Sequence, residues 1–156
     1  MGDAAYEPVD WQSIDKLEKV AEKEAGVFNL LCVVLEVGSK SEIPTKIGGI
    51  VKRQVIKVAD ETGFDAEITI WGDMKGTEKL KNGQIVGFKN LKLNIFRGKN
   101  IATTMDSKLI MKPFPCDKLN KLLVFRTKMQ ESLYFTLKSL KDTMFVDTEP
   151  KTLQQI

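Results

Sequence analysis

The turn Asp60-Glu61-Thr62-Gly63 separates two strand-like runs, Ile50 to Ala59 and Phe64 to Trp71, and the second of them alternates with period two. On a strand, Phe64, Ala66, Ile68 and Ile70 share one face while Asp65, Glu67, Thr69 and Trp71 share the other. Two such runs joined by a turn rich in Asp and Gly predict a hairpin, which commits this part of the chain to an antiparallel sheet with one buried and one wet face. Trp71 departs from the pattern, because it closes the run on the polar face.

A second run repeats the departure. Leu91, Leu93 and Ile95 form a buried set that leaves Lys92, Asn94 and Phe96 outward, and Arg97, Gly98, Lys99 and Asn100 follow as a basic turn. An aromatic ring beside lysine and arginine on a wet sheet face suits a nucleobase and its phosphate, since every base offers a π-face for stacking. The competing reading is that a loop, a terminal helix or a partner chain covers each ring, because single exposed apolar residues are common.

Along the rest of the chain, Ile14, Leu17, Val20 and Ala21 recur at helical spacing between Ser13, a candidate N-cap, and Gly26, a candidate stop. They predict an amphipathic helix of about three turns. Val27 to Val37 is nearly all apolar and predicts a strand, and the Gly, Ser, Lys and Pro content of 38–49 predicts a long flexible loop. The stretch 72–81 is polar, a loop with one helical turn. Asn82-Gly83 then opens a strand from Gln84 to Phe96, whose buried parity changes near Lys89 and so predicts a bulge or sharp bend. Ile101 to Met105 forms the fifth strand, with Leu109 to Met111 extending or repeating the pairing. Pro113 and Pro115 end the strand region, and Asp117 to Arg126 predicts a helix with Leu119, Leu122 and Leu123 on one face.

Five bent strands with one long loop and one basic turn describe a small closed barrel better than a sandwich, which needs about seven. The expected fold is therefore mainly β, a five-stranded OB-fold barrel with flanking short helices. Its expected divisions are an N-terminal extension and short helix over 1–26, the barrel with its C-terminal helix over 27–126, and a linker or tail over 127–156. In this fold the face of strands two and three, with the first-to-second and fourth-to-fifth loops, forms the oligonucleotide groove. Trp71 and Phe96 fall there by topology, in agreement with the alternation argument.

Charge is distributed to match. The net charge is only +3, but residues 1–37 hold 3 basic and 8 acidic side chains, residues 38–112 hold 14 and 8, and residues 113–156 hold 7 and 5. The basic excess lies on the strand-rich middle, where it supports a polyanionic ligand. Cys32 and Cys116 make no CxxC arrangement and the chain has no histidine, which leaves no zinc site of the usual kind and no histidine general base. No GxxxxGK[ST] or GxSxG motif is present, so the chain is not expected to be an enzyme and no metal or cofactor is expected. No apolar run approaches the ~20 residues that cross a bilayer, and Asp3, Glu7 and Asp10 replace a basic signal start, so an intracellular chain without membrane contact is expected.

Three motifs carry a family resemblance: Asp60-Glu61-Thr62-Gly63, Ile68-Thr69-Ile70-Trp71-Gly72-Asp73, and Leu93-Asn94-Ile95-Phe96-Arg97-Gly98-Lys99-Asn100. From about Tyr6 to Arg126 the chain resembles the second single-stranded-DNA-binding OB domain of the replication protein A large subunit. The resemblance implies that Trp71 and Phe96 stack on successive bases, that Thr69, Lys92, Arg97 and Lys99 line the path, and that Arg53 and Lys57 approach phosphates or base edges. Gln54 stands where the family usually has an arginine. A telomerase-associated branch of the superfamily, specialised for G-rich telomeric repeats, has the same architecture, and Gln54 and Asn94 beside Lys92 are candidates for base-edge hydrogen bonds that would give such a preference. The implied partners are single-stranded DNA and other OB domains or subunits of the same complex, and the implied location is the nucleus. The alternative is an OB module whose Trp71 and Phe96 anchor an acidic or hydrophobic segment of a protein partner.

Overall fold

The computed structural model describes residues 9–20, 26–95, 99–131 and 137–140. After β1 (Trp11–Gln12) and α1 (Ile14–Glu18), the chain runs through β2 (Val27–Val37), β3 (Ser41–Pro44), β4 (Ile50–Ala59) and β5 (Phe64–Trp71). A 3-10 turn (Thr77–Lys79) leads to β6 (Ile85–Ile95) and β7 (Lys99–Ile110), and α2 (Asp117–Glu131) and β8 (Lys138–Ser139) complete the order. The sheet runs β1-β2-β6-β7-β5-β4-β3, and an additional β2–β4 pairing closes five of these strands into the expected OB-fold barrel.

The β4–β5 hairpin forms as its sequence predicts. Gly63 takes the left-handed conformation, φ 86°, that the turn requires, and its N–H donates to Asp60 O at 3.1 Å. Ala66, Ile68 and Ile70 point into the core with Ile56 and Val58 of β4, and Phe64 packs partly buried against them.

Alternation fails in β2 for a physical reason: both of its faces are covered. Leu30, Cys32 and Val34 face the barrel interior, while Leu31 and Val33 face a second cluster built with Leu122 and Phe125 of α2. Burial of Cys32 pushes its thiol far above the ordinary value and leaves it an inert hydrophobe. The parity change in the next long strand is also real: the β6–β7 register shifts between Lys89 and Leu91, with Asn90 at φ 61°.

Four expectations are corrected. The first helix covers only the five residues of α1 among those described. The stretch 38–49, expected as a flexible loop, contains β3, which pairs with β4 through Ile43↔Val51 and its neighbours. The fifth strand and its possible extension are one strand, β7, which starts at Lys99. The C-terminal helix continues to Glu131 and leaves Leu123 exposed, not on the buried face. Beyond it, residues 138–139 pair with β5 and Leu140 enters the core.

Candidate nucleic-acid interface

The outer face of the β4–β5 hairpin carries the candidate site. Register pairs Arg53 with Trp71, Val55 with Thr69 and Lys57 with Glu67, so these side chains form two adjacent outward rows. Trp71 is 44 % exposed. The Arg53 guanidinium lies over its ring, 5.9 Å from the centroid, a cation–π distance. The Trp71 backbone N–H donates to Thr103 Oγ1 at 3.0 Å, which fixes the end of β5 against β7. Beside the ring opens a cleft of about 500 Å³ whose polar lining comes from Arg53, Thr69, Asn94 and Asn100. Asn94 and Asn100 are cross-strand partners on β6 and β7. A planar ring, a guanidinium and a row of amides and hydroxyls can stack a base, neutralise a phosphate and bond base edges.

Asp73 lies just beyond Gly72. Its carboxylate bridges Lys40 and Lys52, 3.3 Å from each, and those two hydrogen bonds hold it below the usual carboxylate range. The link ties the β2–β3 connection to the end of β5.

Among the expected site residues, the structure gathers Arg53, Thr69, Trp71 and Asn94 in one cleft. Lys57 shares the outer face, with Nζ 4.0 Å from Asp65 Oδ2. Lys92 lines a neighbouring cleft instead. Phe96 and Arg97 lie outside the described residues.

Two expectations are overturned by parity. Gln54 shares the inward face of β4 with Ile56 and Val58; it is 7 % exposed, and its Nε2 donates to Gly38 O at 2.8 Å. It therefore holds the start of the β2–β3 connection and does not reach the groove, and Arg53 is the residue that does. Lys99 is 6 % exposed and shares the inward parity of Ile101. Its Nζ donates to Leu17 O at 2.9 Å and to Glu18 O, which caps the carbonyl end of α1. Burial lowers its pKa. The sequence marks Asn100 only as a turn residue; its outward parity, one place before the inward Ile101, follows only once β7 is seen to start at Lys99. Among the described residues, no group of three or more cysteine or acidic side chains is gathered as a metal site would require.

A closed five-stranded barrel with this strand order is an OB-fold. The chain belongs to the replication protein A OB domain family, whose model matches residues 14–112. It is 29% identical over 115 residues to a replication protein A 70 kDa DNA-binding subunit of Oryza sativa subsp. japonica, covering 68% of this chain and 12% of the rice protein. It is 29% identical over 122 residues to the replication factor A 51 kDa subunit of Crithidia fasciculata, covering 76% of this chain and 26% of that protein. The chain thus spans about a quarter or less of the length of these relatives. Its fold matches a chain in the structure of a replication protein A heterotrimer bound to ssDNA with a TM-score of 0.70 at 16% identity, over 87% of this chain and 31% of that one.

Proposed function

We propose that this chain is a single-stranded-DNA-binding OB module of a replication protein A large-subunit-like protein, acting in the nucleus beside other OB domains or subunits of one complex. The observation that carries the reading is the Arg53–Trp71 pair, an exposed ring with a cation already over it, set beside the polar cleft of Thr69, Asn94 and Asn100. Bases stack on Trp71 while Arg53 and Lys57 meet phosphates. Phe96, by its place in the sequence, supplies a second stacking ring, and Arg97 a further phosphate contact. Asn94 is the candidate for base-edge hydrogen bonds, and so for any preference for G-rich telomeric repeats in a telomerase-associated complex.

Fluorescence anisotropy with labelled oligodeoxynucleotides of equal length, mixed-sequence and G-rich, tests this. OB-fold single-strand binders, replication protein A among them, lose ~1–3 kcal/mol per stacked base when an aromatic platform is cut to alanine. Trp71→Ala should therefore weaken binding about tenfold or more. Arg53→Ala should lower the slope of log affinity against log salt by about 0.7, the value for one phosphate of a single strand. A folded Trp71→Ala that binds like the native chain would sink the stacking mechanism. Parity between the two sequences assigns a general replication role, and a strong G-rich preference assigns the telomeric one. A folded native chain that binds neither at low salt leaves a protein segment as the occupant of the groove.

A further inference from the structure

A larger cleft, about 720 Å³, lies beside the platform and is lined by Val27, Asn90, Lys92, Met105 and Lys108 among others. It exists because β6 and β7 part company for four residues. Leu91 pairs with Thr103 and Lys89 with Lys108, so residues 104–107 stand opposite Asn90 alone. The excursion is locked by hydrogen bonds. Asn90 O accepts from Thr104 Oγ1 at 3.1 Å and Ser107 Oγ at 2.6 Å, Asn90 Nδ2 donates to Asp106 O at 3.0 Å, and Thr104 N donates to Ser107 Oγ at 2.7 Å. At the tip of this fixed bulge stands Met105, fully exposed.

The two clefts are neighbours across the sheet. Ala102 pairs with Thr69 of β5 on one side and with Lys92 of β6 on the other, so only a methyl group separates the platform row from Lys92. Two strand spacings, about 10 Å, span the gap. Lys92 and Lys108 give the second cleft its positive charge, and Asp106 in the same lining disfavours a phosphate beside it. A thioether held in solvent on a rigid bulge is suited to lie against an aromatic ring that arrives from outside.

We propose that this cleft is a second nucleotide subsite, in which Met105 caps a base of the same single strand while Lys92 and Lys108 take its phosphates. The subsite rests on the single-stranded-DNA reading given above, and extends the bound strand from β5 across β7 to β6.

The test is an affinity series with oligodeoxythymidines of increasing length and the whole chain, comparing the native protein with Met105→Ala and Lys108→Ala. The shortest oligonucleotides that bind should not distinguish the three proteins. Once the strand is long enough to reach the second cleft, native affinity should rise, Met105→Ala should fall behind by about two- to tenfold, and Lys108→Ala should lower the salt slope by about 0.7. The Met105 methyl resonance should shift with the long oligonucleotides and stay in place with the short ones. Variants that match the native chain at every length, or that lose the same factor at every length, would overturn the subsite. Failure of the native chain to bind any oligonucleotide would overturn the DNA reading itself, and the subsite with it.

Discussion

Arg53 within β4 and Lys99 at the start of β7 are both basic, and parity alone separates their fates. Arg53 pairs with Trp71 and joins the outer face; Lys99 pairs with Ile95, turns inward and holds the carbonyls of Leu17 and Glu18. Lys99→Ala should therefore cost stability, about 1–3 kcal/mol for the charged hydrogen bonds lost, and leave the salt slope of DNA binding unchanged. Urea unfolding and a salt titration of the same variant check both halves. The placement of Trp71 and Thr69 was legible because alternation is unambiguous within a strand whose other face is apolar. Gln54 was equally readable, lying two places before Ile56. Lys99 was not, because where β7 begins is decided by its pairing with β6 and not by its own residues.

At the scale of elements, the barrel strands were legible and the small additions were not. Ser41-Glu42-Ile43-Pro44 has weak strand propensity, and β3 exists because the edge of β4 supplies its hydrogen bonds; Pro44 is tolerated on such an edge. A compact ionic cluster joins other elements. Lys118 of α2 donates to Glu61 at 2.8 and 3.0 Å and to Ser13 Oγ at 3.1 Å, and lies 3.5 Å from Asp60 Oδ2. Asp60 in turn accepts from Ile14 N at 2.8 Å, so the hairpin turn, α1 and α2 meet on one carboxylate. Lys118→Ala strands a fully buried charge and should destabilise the domain by about 3 kcal/mol. Burial already pushes Asp60 above its ordinary value, against the pull of Thr62, Ile14 and Lys118. A raised folded-state value means that the folded form binds the proton more tightly. The stability from this group is thus greatest at acid pH and is lost as pH rises through the folded value. Removing Lys118 should raise that value further, so the gain in stability on mild acidification should be larger in Lys118→Ala than in the native chain, as measured by urea unfolding across pH.

For the whole molecule, closure depends on β2 serving two neighbours. It pairs with β6 through its first half and with β4 through its second, with register shifts at Phe28/Leu30 and Val34/Glu36 that bend it around the barrel. The outermost described strands are part of the same body: β1 lies parallel on β2, and β8 lies parallel on β5. Leu140 is 1 % exposed and belongs to the main core, far along the sequence from the barrel strands it packs against. Leu140→Ala should destabilise the barrel by about 2–5 kcal/mol, the range for a buried leucine, and the midpoint of chemical unfolding measures it. The sequence alone predicts only a linker or tail here, because the segment's apolar residues alternate imperfectly and local pattern does not say which surface they meet.

The chain's two tryptophans occupy opposite surroundings. Trp11 packs so closely over Gly87 that a Cβ there would stand 2.5 Å from the indole, whereas Trp71 is half open to water under a guanidinium. One indole is thus bound into the body of the sheet and the other forms the floor of the groove. Intrinsic fluorescence should therefore hold a steady component from Trp11 and a component from Trp71 that shifts when the groove is filled, giving the groove an optical reporter without any added label.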